Sequence, residues 1–223
     1  MSGERGVAAL LRLMAWMSPA FPVGGFSYSG GLEKTVEDGR VRNAAELSGW
    51  VETLLRHGSL WNDAVFLAHA WRCSQDAVAL SETADLGRAL AGSAERHRET
   101  VLLGNAFVSA ASAWPQEVLE LLPKEAPYPV AVGAVAAGHG VPLRETLAAF
   151  LHAGVSQIVS AAIRLGVAGQ KDGVAILAAS EAGIAEVAAR AVQSTLDDLG
   201  SATIIADTAA MRHETQGTRL FRS

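Results

Sequence analysis

The sequence predicts an all-α protein, a single orthogonal or bundled helical domain (residues 1–223) of about eight to ten helices. Apolar residues recur at helical spacing through almost the whole chain. Small residues, among them Gly154, Ser156 and Ser160, line helix faces where neighbours can approach closely. Alternating strand patterns are missing; only VAVGAV (130–135) and ATIIAD (202–207) compete, and both are short.

The elements follow in order. The opening MSGERGVAALLRLMAWMSPA loosely mimics a signal peptide, the second reading, but reads first as a helix of the mature chain, because Arg12 interrupts its apolar stretch and Pro22 and a glycine-rich segment follow. Leu47, Val51, Leu54 and Leu55 share one helical face, with Asn43 as N-cap and Glu46 completing a capping box. Residues 62–72 are apolar nearly all round, which predicts a buried helix. Leu90, Ala94, His97, Val101, Gly104 and Val108 form another stripe, with Glu95–Arg98 and Arg96–Glu99 pairs on the opposite face. Pro115, Pro123, Pro127 and Pro129 bracket a short helix between loops, and Tyr128 to Gly138 is a short apolar helix. Pro142 opens a helix carrying Leu143, Leu147, Phe150, Leu151, Val155, Ile158 and Ala162. GQKDG (169–173) reads as a turn. A last long helix runs through Ile184, Ala188, Ala191, Thr195 and Leu199 and stops at Gly200.

Composition narrows the function classes. Half of the 223 residues are hydrophobic and 18% are charged, with a mean hydropathy of +0.23. No uninterrupted apolar run reaches the roughly 18 residues of a membrane span. The nearest candidate, 143–165, is broken by Arg144, Glu145, His152, Ser156, Gln157, Ser160 and Arg164. One cysteine, Cys73, forbids an intrachain disulfide and fits a reducing, cytoplasmic setting. A net charge of −5 argues against nucleic-acid binding through a broad basic surface.

No catalytic constellation emerges. GGFSYSGG (24–31) lacks the Lys-Ser/Thr of a phosphate loop, and Ser29 stands where a nucleophile elbow needs glycine. His69 and Cys73 share a helical face, but two ligands without a third do not make a metal site. His97 on its apolar stripe reads as a hydrogen-bonded core histidine, and the charge-dense ERHRET (95–100) as a solvated face. No cofactor is implied.

The two ends stand out. In SPAFPVGGFSYSGGLE (18–33), Phe21, Val23, Phe26 and Tyr28 interleave with glycine and proline, so they anchor either into their own core or into a partner. Residues 212–223 carry Arg212, Arg219 and Arg222 against Glu214 alone, a net of +2 in an acidic chain, with Leu220 and Phe221 between the last two arginines. That end reads either as a docking segment or as a tail packed on its own domain. Lys171 and Asp172 have two readings as well, ordinary turn residues or partner contacts.

With both ends in view, the chain resembles the urease accessory protein UreF family. The likeness rests on SPAFPVGGFSYSGGLE (18–33), ERHRETVLLGNAF (95–107), the long run 128–173 from YPVAVGAV to GQKDG, and MRHETQGTRLFRS (211–223). Gly217 departs from the family pattern, which leads one to expect an aromatic residue there. The resemblance implies an all-α, dimeric, non-enzymatic chaperone that joins a UreD/UreH-type protein and the GTPase UreG on apo-urease for nickel insertion. It implies partner contacts through an N-terminal segment (18–33) and a C-terminal tail (211–223), with Tyr28, Glu33, Arg219 and Arg222 at family motif positions. An alternative within the same resemblance gives Arg219 or Arg222 an arginine-finger role on the GTP of UreG.

Overall fold

Local capping and apolar periodicity produce an entirely helical architecture. The computed structural model describes residues 2–223. The helices are α1 (Ser2–Trp16), α2 (Leu32–Glu37), α3 (Ala44–His57), α4 (Ser59–Arg72), α5 (Ala77–Ala89), α6 (Ala94–Ala111), α7 (Val118–Leu121), α8 (Tyr128–Gly138), α9 (Leu143–Arg164), α10 (Gln170–Val192) and α11 (Ile204–His213). Two 3-10 turns lie at Gly25–Ser27 and Leu196–Asp198. Ten of the eleven α-helices exceed a single turn, α7 being the exception, and no strand occurs among the described residues. Neither segment that competed as a strand is one: VAVGAV lies in α8, and residues 204–207 of ATIIAD open α11.

The caps are local and specific. The Asn43 side chain accepts from the Glu46 amide, while the Glu46 carboxylate reaches back to the amide of Arg42, not of Asn43. Asp76 and Ser93 cap α5 and α6.

Helix α8 is the centre of the core. Its residues from Pro129 to Ala136 are all buried, and it packs chiefly on α4 and α6. Close approach needs the absent side chain of Gly133, since a Cβ there would run into the Leu67 carbonyl. Helix α9 is long and apolar enough to cross a membrane. Here Leu147, Leu151, Val155, Ala161 and Ala162 are buried, and the helix packs on α10, α4 and α3. One contiguous apolar cluster runs from Ala9 in α1 to Phe221 in the tail.

Three sequence expectations are corrected. GQKDG is not a free turn: Gly169 caps α10, and residues 170–173 form its first turn, with Asp172 accepting from the Gly169 amide at 3.1 Å. The last long helix ends at Val192, because Thr195 is extended and caps a separate 3-10 turn. In α6 the buried face is rotated from the expected stripe. Leu90, which lies before α6, and Ala94 and His97 are exposed; Val101 and Gly104 are buried as the stripe predicts, and Glu99, Thr100, Leu103, Phe107 and Ala111 join them. Polar residues can face inward there because each finds a partner, as Thr100 does in accepting from the Tyr128 amide.

Candidate functional site: the joined chain ends

The N-terminal segment folds back on itself before α2. Gly24, Gly30 and Gly31 have φ of 81°, 60° and 81°, the left-handed region that glycine enters without strain. Gly31 has a second constraint: a Cβ there would lie 2.9 Å from the Ala210 amide, so α2 and α11 cross at this residue. Phe21 packs on Phe107 and Trp114 with ring centroids 5.6 and 6.4 Å apart. Tyr28 is buried, whereas Phe26 is 68% exposed. The aromatics of this segment therefore divide between the core and the surface.

The C-terminal tail lies against that segment. The Arg222 amide donates to Ser27 O at 2.8 Å, and the Ser29 amide donates to Ser223 O at 2.7 Å. The Ser29 hydroxyl donates to the same Ser223 oxygen. Beneath them, the Glu33 carboxylate accepts from the amides of Leu220 (2.6 Å) and Phe221 (3.0 Å). Glu33 also meets His213 Nε2 at 3.0 Å, and His213 Nδ1 meets Glu95 at 2.6 Å. Arg219 completes the chain by donating to the other oxygen of Glu95 at 2.6 Å. His213 is fully buried and Glu33 nearly so. Burial pushes the Glu33 carboxyl up, but the His213, Leu220 and Phe221 donors outweigh it and hold the group below the ordinary glutamate range.

A second buried cluster supports the last residue. The Ser223 hydroxyl donates to Glu99 at 3.0 Å, and Arg96 bridges Glu99 to Asp63. Burial raises both carboxyls above their ordinary values, with Arg96 opposing the shift. ERHRET is thus not a solvated face. Its Glu95, Arg96 and Glu99 form the floor under the tail, a place earned by partners and not by apolarity.

Above this floor the surface is apolar and cationic. Phe26 and Leu220 (61% exposed) project outward, and Arg212, Arg219 and Arg222 are exposed on the same C-terminal stretch as Leu220. Arg212 pairs with Asp38 at 2.9 Å, and Lys34 and Arg212 hold that carboxyl below its ordinary range. Arg164 of α9 donates to Phe26 O and lies over the Phe221 ring. Arg222 makes no ion pair or side-chain hydrogen bond among the described residues.

The ten residues singled out in the sequence fall into three groups. Phe26, Arg212, Arg219, Leu220 and Arg222 are on the joined surface. Tyr28, Glu33 and Phe221 are buried inside it, and the Glu33 carboxylate joins the Phe221 backbone to α2. Lys171 and Asp172 are exposed on the first turn of α10 and share no hydrogen bond with either end. Sequence reading missed Glu95, Glu99, His213 and Arg164. The charge density of ERHRET was the available signal for the first two. The His213 ring bridges two carboxylates through opposite nitrogens, which is not a cage, and no metal-holding group of three such side chains occurs among the described residues.

Comparison with known proteins identifies the family. The UreF family model matches residues 41–181, more than half of the chain. The urease accessory protein UreF of Agrobacterium fabrum is 88% identical over 223 residues, covering both chains completely. Its counterpart in Rhizobium etli strain CIAT 652 is 62% identical, again over both whole chains. Urease accessory protein UreF 1 of Brucella canis is 59% identical over 215 residues, 96% of this chain and 94% of its own. Matches of this length and identity place the chain in the UreF family, accessory proteins and not enzymes.

Proposed function

We propose that the joined ends are a docking surface through which the chain scaffolds a UreD/UreH-type protein and the GTPase UreG on apo-urease, in the cytoplasm, for GTP-dependent assembly of the nickel metallocentre. Nickel is cargo in this reading. The observation that carries it is the exposure of Phe26, Leu220 and three tail arginines on segments joined and braced from below by buried hydrogen bonds. Exposed apolar anchors sharing their segments with guanidinium groups have the composition of an interface centre, not of a fraying terminus. A scaffold biases a GTPase only by binding one of its states more tightly. The exposed Lys171 and Asp172 at the head of α10 offer a separate contact, and two copies of the chain pair within the assembly. Co-purification with the candidate partners, sized by light scattering, tests the reading. A complex that forms equally well with Phe26 and Leu220 both changed to alanine overturns it.

A second reading makes the chain a GTPase-activating regulator that inserts a tail arginine beside the GTP of UreG. Arg219 is already tied to Glu95, whereas the Arg222 side chain has no ion pair among the described residues, so Arg222 is the finger in this reading. Turnover of GTP by UreG with and without the chain discriminates the two; no acceleration rules the finger out.

A further inference from the structure

We propose that His213, as a doubly protonated imidazolium, is the positioning residue of the docking surface: it fixes the two carboxylates that seat the tail, and so sets partner affinity from a place no partner can touch. The inference rests on reading the joined ends as that surface.

The ring is 0% exposed, with Nδ1 2.6 Å from Glu95 Oε2 and Nε2 3.0 Å from Glu33 Oε2. A neutral imidazole has one N–H and one bare nitrogen, so against two ionised carboxylates one contact would be lone pair on lone pair. The alternative is a proton on a carboxylate, and the surroundings argue against it on both sides. Glu33 already receives N–H groups on both oxygens, from Leu220 and Phe221. Glu95 receives the Arg219 guanidinium on its other oxygen. Donors of this kind favour the ionised form. The charges then balance: Glu33 and Glu95 are met by His213 and Arg219. The charged groups paired with the ring are Glu33 from α2 and Glu95 from α6, with Arg219 reaching it through Glu95. Its neighbours on α11 and beyond are turned elsewhere, Arg212 to Asp38 and Glu214 to the Ala94 amide.

The consequence is mechanical. Glu33 holds the backbone of Leu220 and Phe221, and Glu95 holds Arg219. His213 is the side chain common to both carboxylates. Without it, two buried negative charges lose their shared donor, and the tail loses its register against the N-terminal segment.

Nitrogen-15 spectra of the histidine rings in the full-length chain at neutral pH test the protonation directly. Both His213 nitrogens are expected to carry protons; one bare nitrogen overturns the proposal. A His213→Gln chain donates to one carboxylate only. Amide exchange at Leu220 and Phe221 is then expected to speed up about tenfold or more, with α8 amides unchanged and partner capture weakened about tenfold. Unchanged protection at Leu220 and Phe221 overturns the proposal. Faster exchange with partner capture intact overturns the docking reading beneath it. The ring spectra need no variant, so they decide the matter even where the substituted chain fails to fold.

Discussion

The guanidinium carbon of Arg164 lies 4.2 Å from the centroid of the Phe221 ring. The same guanidinium donates to the carbonyl of Phe26, so one side chain at the end of α9 grips both ends of the polypeptide. A cation on an aromatic face contributes about 0.5–2 kcal/mol according to how far it is desolvated. Arg164→Ala should therefore loosen the tail without touching the α4–α8 core. The expected outcome is faster amide exchange across 219–223 with a melting temperature within a few degrees of the parent, about what a loss of this size produces. Equal protection of the tail in parent and variant would refute the grip.

The acid behaviour of the seat has a definite sign. Glu33 is held below its ordinary value of 4.5 by donors present only in the folded chain. A depressed carboxyl contributes stability in full above the unfolded value and loses it as pH falls through the folded one. The tail should hold its position down to about pH 4.5 and come loose only below it. Amide chemical shifts of Leu220 and Phe221, followed from pH 7 downward, read this directly. In Glu33→Gln that acid step should be missing.

Gly31 joins the local conformation of one end to the packing of the other. Its φ of 81° already disfavours a side chain, and a Cβ would press on the Ala210 backbone. Strain and overpacking together should cost Gly31→Ala about 2–4 kcal/mol in denaturant unfolding. Gly24 has the same φ but open space around it, so Gly24→Ala should cost only the backbone part, about 1–2 kcal/mol. Similar losses in the two variants would show that the α2–α11 crossing does not depend on the missing methyl.

These contrasts show what the sequence could and could not reveal. The buried faces of α3, α8 and α9 were legible because each is an apolar stripe or run at helical spacing, such as Leu47, Val51, Leu54 and Leu55. The inward face of α6 was not legible. Glu99 is 4% exposed because Arg96 and Ser223 satisfy it, and those partners lie one turn and about half the chain away. Hydrophobic pattern is blind to a polar group whose burial is compensated by a distant partner. The same reason hid His213, whose neighbours Glu33 and Glu95 come from α2 and α6. The two ends were legible as odd in composition, but composition did not show that they meet. The division of their residues into floor and surface required the fold.

That division bears on how docking should be tested. Deleting 212–223 removes only Arg212 and His213 from a helix, so far-UV helicity should fall little. It also removes Phe221, 4% exposed, and strips Glu33, Glu95 and Glu99 of donors. Loss of a buried phenylalanine alone costs about 3–5 kcal/mol, so a truncated chain that fails to bind is as easily a destabilised chain. Phe26→Ala and Leu220→Ala avoid the difficulty, because both side chains are mostly exposed and should change unfolding free energy by no more than about 0.5 kcal/mol. As interface anchors each should weaken partner binding by about 2 kcal/mol or more, roughly thirtyfold. Calorimetric titration of the two variants against the UreD/UreH-type partner, beside their melting curves, separates a docking surface from a packed terminus. Parent-like affinity in both would leave the tail a terminus packed on its own domain.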